Sequence, residues 1–235
     1  MFHVKHGVGR GLTMVDPLVT IRTICRKNGL ILTDEQLASL GEYVRRLLEW
    51  NRTINLISRR DEDNVWFSHV LHSLSILFSV KIASGLRILD LGSGGGLPGI
   101  PLAIARRDLT VVLLDSIKKK TMVTSDITSA LHLGNVTVFN GRAEEFATRE
   151  QHTFDLVVAR AVAPLEDLCT WSRPLVRMEN ATQPHLLALK GGDLEDEIRK
   201  ARRRPGLAIT VINMAFEGSL ELGLEDKKLV LVHFT

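Results

Sequence analysis

The stretch Leu89-Asp90-Leu91-Gly92-Ser93-Gly94-Gly95-Gly96-Leu97-Pro98-Gly99 decides how the rest of this chain is read. An apolar run from Leu86 to Leu91 ends in a glycine cluster, and Pro98-Gly99-Ile100-Pro101 opens the apolar-periodic segment Leu102 to Ala105. The order is strand, tight turn, helix. Glycine accepts positive φ and carries no Cβ to hold a ligand away, so backbone N–H groups and a helix N-terminus can face a bound group. Proline at Pro98 or Pro101 suits a first helical turn, where its missing N–H would have had no partner.

C-terminal to this turn, strands alternate with helices, the pattern of a parallel sheet wound by crossovers. Strands are predicted at Leu86 to Leu91, Thr110 to Asp115, Val136 to Phe139, Phe154 to Ala159 and His185 to Lys190, with helices at Ile117 to Leu133 and Leu165 to Val176. The end differs. Leu207 to Phe216 and Lys227 to Phe234 are β-rich runs joined by a Gly-containing connection, which reads as an antiparallel hairpin. N-terminal to the turn the texture is helical. Asp16 to Asn28 carries Leu18, Ile21, Ile24 and Cys25 at helical spacing. Thr33 and Gln36 form a capping-box pattern before the stripe Leu37, Leu40, Val44, Leu47 and Leu48. Trp50 to Asp61 reads as a polar, basic loop, and a third helix is predicted from about Glu62 to Lys81. The expected division is a loose tail at 1–15, a helical appendage at 16–84 and an α/β domain at 85–235.

With 235 residues the chain is long enough to bury a substantial core, and its 45% hydrophobic fraction is that of a globular protein. A net charge of +3 permits a polyanionic partner without demanding one. Cys25 and Cys169 stand far apart and outside any C-x-x-C pattern, so neither a disulfide framework nor a zinc site is expected, and a reducing cytoplasm suits them. No apolar run approaches the ~20 residues of a membrane helix, and residues 1–12 lack the apolar core of a secretory signal.

The glycine cluster has two registers. Gly94-x-Gly96-x-x-Gly99 matches the dinucleotide fingerprint, but it places its first glycine several residues past the strand. Asp90-x-Gly92-x-Gly94-x-Gly96 resembles the turn of Rossmann-fold methyltransferases and sets Asp90 and Gly92 at the strand's carboxyl end. There a carboxylate can complement a sulfonium cofactor with an amino-acid tail, whereas it would repel a pyrophosphate. Asp115, 21 residues after Gly94, ends the next strand, where an acid accepts from a ribose diol or simply caps the following helix. Ala143-Glu144 would border an adenine, or form an acidic first helical turn. Together these strand ends describe one pocket at the carboxyl edge of the sheet.

The run Leu89 to Pro101, with Leu113-Leu114-Asp115-Ser116, Gly141 to Phe146, Phe154 to Ala161 and Ala188-Leu189-Lys190-Gly191, resembles the RsmG (GidB) family. That family comprises bacterial methyltransferases acting on a guanine N7 of small-subunit (16S) ribosomal RNA. The similarity runs from about Leu37 to the C-terminus and includes Trp50-Asn51 and Asn55-Leu56. One departure is visible: Ser68-His69-Val70-Leu71-His72-Ser73 stands where the family has Arg-His-hydrophobic-hydrophobic-Asp-Ser. The resemblance implies a class I methyltransferase fold, Rossmann-like and seven-stranded, mostly parallel with a C-terminal antiparallel hairpin. It also implies S-adenosylmethionine as cofactor, with Gly92, Leu97, Ala143, Glu144 and Arg160 mapping onto positions that line its pocket; Asp90, Ser93, Gly94 and Asp115 complete the expected set. The implied partner is 16S rRNA or a small subunit, which includes assembly intermediates, with no obligate protein partner evident.

Arg160 ends an apolar strand at its carboxyl tip, where a guanidinium can grip phosphate or a base edge, or pair with Asp155 or Glu166. Arg142, Arg160 and Lys190 are expected to converge as three cations at neighbouring strand ends and to favour an anionic substrate. His69 is a further substrate candidate or a packing histidine; His72, three residues on, lacks a third partner for a metal site. Arg59-Arg60, Lys118 to Lys120 and Arg202 to Arg204 are either phosphate contacts or solvated faces. Guanine N7 has an in-plane lone pair and no proton, so no general base is expected. Placement alone is the expected mechanism. The competing readings are a non-catalytic module that senses S-adenosylmethionine or NAD, and a dehydrogenase, for which no acid or base opposite a nicotinamide is evident.

Overall fold

The strand, turn and helix read from the glycine cluster lie in the middle of a seven-stranded sheet in the computed structural model, which describes residues 16–179, 183–224 and 226–235. The tail expected at residues 1–15 lies outside the described residues. The strands are β1 (Arg87–Leu91), β2 (Thr110–Asp115), β3 (Val136–Asn140), β4 (Leu156–Arg160), β5 (Leu186–Gly191), β6 (Leu207–Asn213) and β7 (Lys227–Phe234). Their order is β3-β2-β1-β4-β5-β7-β6. The first five run parallel, with Leu89 opposite both Val112 and Val157. The terminal hairpin is antiparallel, β7 pairing with β5 and β6. The chain winds outward from β1 through β2 to β3, then returns to β4 on the other side of β1. That reversal opens a crevice at the carboxyl ends of β1 and β4, the place where open α/β sheets bind ligands.

Alternation along each strand divides the core into two layers, as the two-residue period of a strand requires. Ile88, Val111, Leu113, Leu156 and Val158 face one layer, and Leu89, Leu91, Val112, Leu114 and Val157 face the other. The first layer is shared with the N-terminal helices α1 (Pro17–Lys27) and α2 (Asp34–Asn51). The expected capping box is present: Gln36 N donates to Thr33 Oγ1 and Thr33 N to Gln36 Oε1. Leu37, Leu40 and Leu47 of α2 pack in one cluster with Leu102 and Ile104 of α5 (Gly99–Ala105). Gln36 Nε2 donates to the carbonyls of Ile104 and Ala105, capping α5, and the buried Tyr43 hydroxyl donates to Gly95 O at 3.0 Å. The N-terminal helices are thus built into the wall of the glycine turn.

Two N-terminal expectations are corrected. First, α2 runs on to Asn51 instead of stopping before Trp50. Asn51 is buried, its Oδ1 accepts from Leu56 N and Ile57 N, and its Nδ2 donates to Glu62. Asparagine is a weak helix former that bonds to nearby backbone, so in sequence it reads as a break. We expect Asn51→Ala to destabilise the fold by about 2 kcal/mol, because two amides lose their acceptor. An unchanged urea midpoint would contradict this. Second, Glu62 to Lys81 is not one helix. It is a 3-10 turn (Arg59–Asn64), a π-helical segment (Trp66–Leu71) and two short helices, α3 (His72–Leu74) and α4 (Ile76–Ser79). Ser73, Ser75 and Ser79 each donate a hydroxyl to a carbonyl three or four residues back, competing with the helical ladder.

The remaining helices are α6 (Lys118–Ala130), α7 (Ala143–Ala147), α8 (Leu165–Ser172) and α9 (Glu195–Ala201), the last unmarked by the sequence pattern. Among the described residues no helix is long and apolar enough to cross a membrane.

Candidate functional site

The glycine turn is stapled to the end of β2. Gly92 N and Ser93 N both donate to Leu114 O, and Gly94 N donates to Asp115 Oδ2 at 2.9 Å. Gly92 follows β1 directly and has φ +70°. That is the register in which Asp90 and Gly92 lead, and it leaves the dinucleotide register out of place.

Asp90 differs from expectation. Its side chain is fully buried beneath the turn and lines neither cavity described below, because Oδ2 is taken up by Gly99 N at 2.7 Å. It ties the end of β1 to the start of α5, while Oδ1 has no partner among the described residues. Burial pushes this carboxyl up to about 7. From about pH 4, where an unfolded aspartate titrates, to pH 7, the unfolded chain has released a proton that the folded chain keeps, so stability falls as pH rises through that window. Asp90→Asn keeps an acceptor for Gly99 and removes the titration. Its unfolding free energy relative to wild type is therefore expected to rise between pH 4 and 7 and level off above; parallel pH profiles would contradict this.

Two cavities meet at Gly92. The first, about 130 Å³, is lined by Gly92, Asp115, Arg142, Ala143, Glu144, Val162 and Trp171, among others. This brings together the residues expected at the ribose and adenine end. Asp115 serves as helix cap and pocket wall together: Oδ1 accepts from Ile117 N and Oδ2 from Gly94 N, and each carboxylate oxygen has a further lone pair for a hydroxyl. The second cavity, about 290 Å³, is lined by Gly92, Ser93, Gly94, Leu97, His69 and Arg160, with Asp61, Lys120 and Ala161 on its wall. Val162, Trp171 and Asp61 carry no motif of their own in the sequence.

In the second cavity Arg160, at the tip of β4, is hydrogen-bonded through its guanidinium to His69 Nδ1 and to His69 O. Neither pairing foreseen for it forms, since Asp155 is joined to Arg177 and Glu166 to Arg204. Among the described residues no carboxylate lies within ion-pair distance of Arg160. His69 stands on the π-helical segment, with Nε2 facing Asp61 Oδ2 at 3.5 Å. Because Nδ1 accepts from Arg160, the ring proton belongs on Nε2, toward Asp61. Burial, and secondarily the Arg160 charge, hold His69 down at about 4, so it is neutral. A desolvated guanidinium held by a neutral imidazole leaves positive charge facing the cavity.

The expected convergence of three cations does not occur. Strand order is not sequence order: β1 and β2 lie between β3 and β4, so Arg142 borders the first cavity and Arg160 the second. Lys190 faces a third hollow, where its Nζ is bound to Glu197 Oε1 at 2.6 Å and Ala163 O at 2.7 Å.

A sequence model of one family, described as GidB: rRNA small subunit methyltransferase G, matches residues 36–218. A protein named ribosomal RNA small subunit methyltransferase G from Bacteroides fragilis (ATCC 25285) is 45% identical over 168 residues, 71% of this chain and 80% of that one. Its namesake from Bacteroides thetaiotaomicron (VPI-5482) is 40% identical over 201 residues, 85% and 93% of the two chains. Among solved structures, an O-methyltransferase from Bacillus cereus in complex with SAH aligns over 92% of this chain and 99% of its own, with a TM-score of 0.53 and 16% identity. Cofactor-bound Rv0187 from MTB aligns over 84% and 91%, with a TM-score of 0.54 and 20% identity. At such identities the structural likeness concerns the fold.

Proposed function

The chain belongs to the rRNA small subunit methyltransferase G (GidB) family, and from that premise we propose that it transfers a methyl group from S-adenosylmethionine to N7 of a guanine in 16S rRNA, in the bacterial cytoplasm. The observation that carries this reading is the meeting of two chemically different cavities at Gly92. One offers carboxylates at Asp115 and Glu144, which suit a nucleoside's hydroxyl and amine donors; the other offers the cation of Arg160, which suits an anionic acceptor.

The residues present fit the cofactor, since the carboxylates of Asp115 and Glu144 line one cavity and Gly92, which has no side chain, presents only backbone where that cavity meets the second. S-adenosylmethionine supplies an electrophilic methyl group on a sulfonium. Asp115 and Glu144 would hold its nucleoside end, and the turn Gly92 to Gly94 would bring backbone to its middle. Arg160, hydrogen-bonded to His69, orients the acceptor through phosphate or base-edge contacts. Lys120 lines the second cavity, and Arg59, Arg60, Lys118 and Lys119, close in sequence to its lining residues Ser58, Asp61 and Lys120, are exposed and without salt-bridge partners among the described residues, available to RNA phosphates. Guanine N7 attacks with a lone pair and carries no proton, so the chain needs no base and contributes placement.

The test is incubation of the protein with labelled S-adenosylmethionine and small subunits or deproteinised 16S rRNA, followed by borohydride and aniline. Scission at one guanine is the expected result. Label incorporated without scission would contradict methylation at N7.

A further inference from the structure

The segment after β4, Ala161 to Pro164, is the partition between the two cavities. Ala161 lines the one that contains Arg160, and Val162 lines the one that contains Asp115. The Val162 methyl carbons lie 2.6 Å from where a Cβ on Gly92 would stand, so this side chain covers the turn where the cavities meet. Ala161 has φ +52°, a left-handed conformation taken by a residue that is not glycine. Such backbone persists only where its surroundings over-determine it.

The restraint comes from behind. Lys190 Nζ, mostly buried, donates to Ala163 O at 2.7 Å and to Glu197 Oε1 at 2.6 Å. The same Glu197 oxygen accepts from Leu165 N, the first residue of α8. One ion pair therefore holds the segment at both Ala163 and Leu165, immediately after the strained residue. It joins β5 and α9 to the far side of the partition, away from either cavity.

We infer that Lys190 and Glu197 are positioning residues: their ion pair holds Ala161 left-handed and Val162 over Gly92, and so fixes the wall between cofactor and acceptor. This rests on the methyltransferase reading for the contents of the cavities, though not for the mechanics of the partition. Without the pair, Ala161 relaxes out of the left-handed region, Val162 leaves the turn, and the cofactor cavity loses one side. Lys190 acts through the backbone of its neighbours and touches no reactant.

The test uses Lys190→Met in the full chain, with Glu197→Gln as the second variant should the first not fold. Amide hydrogen exchange is expected to accelerate at residues 161–165 while α2 and the sheet keep wild-type protection. Affinity for S-adenosylhomocysteine, by calorimetry, is expected to fall about tenfold. Lys190→Arg, which keeps a donor and a charge, restores both readings. The decisive variant is Ala161→Gly with Lys190→Met. Glycine holds the left-handed conformation without strain, so most of the lost affinity returns. Wild-type exchange at 161–165 in Lys190→Met, or a double variant no better than the single one, overturns the inference. If the wild-type chain fails to bind S-adenosylhomocysteine, the functional reading falls, while the exchange data still decide whether the pair holds the partition.

Discussion

Gly92→Val is expected to yield a folded protein whose affinity for S-adenosylhomocysteine is at least ~100-fold lower, a difference of about 2.7 kcal/mol. Gly92 adopts φ +70°, a region that a β-branched side chain occupies only as an outlier. A Cβ there would stand 2.6 Å from both Val162 methyl carbons. The added side chain must displace Val162 or move the turn, and either change blocks the point shared by the two cavities. The sheet depends little on that point, because β1 ends at Leu91 and its core contacts lie below. Calorimetric titration alongside circular dichroism checks both halves of the expectation. Wild-type affinity in a folded variant would remove Gly92 from the cofactor site.

Arg160→Ala is expected to lower turnover on rRNA by about 100-fold, because charge-assisted hydrogen bonds lost to an anionic substrate are worth about 1.5–3 kcal/mol each. Arg160 lines the cavity of His69 and Leu97 and not that of Asp115 and Glu144, so rRNA binding should suffer more than binding of S-adenosylhomocysteine. The fold should survive. Arg160 is held by a neutral imidazole, and its removal strands no buried carboxylate. Turnover at the wild-type rate in a variant that binds both ligands would assign Arg160 a purely structural part.

The legible parts of the molecule were the local ones. The strand, turn and helix around Gly92 could be read because glycine, proline and the apolar alternation each act within a few residues. The acid at the end of β2 and the terminal hairpin follow from the same local rules. Contacts that join distant segments left no such trace. Arg160 meets His69 across 91 positions, and nothing in either neighbourhood announces the other. Arg142 does not join Arg160 because β3 and β4, consecutive along the chain, are separated by β1 and β2 in the sheet, and Lys190, on the neighbouring β5, is drawn away by Glu197 and Ala163 O. Lys190 looked like a substrate contact because it ends a strand. Its partner Glu197 lies on α9, a short helix whose apolar face is too small to mark in sequence. Asp90 also sits where the sequence placed it, yet its carboxylate turns inward to Gly99, a direction that spacing alone does not give.

The central claim is that this chain methylates one guanine of 16S rRNA at N7, using the site organised by Gly92. Nucleoside mass spectrometry of 16S rRNA from a strain of the source bacterium lacking the gene tests it most directly. The account predicts the loss of one N7-methylguanosine, restored by the wild-type gene and not by Gly92→Val. A full complement of N7-methylguanosine in the deletion strain, or restoration by Gly92→Val, would contradict it.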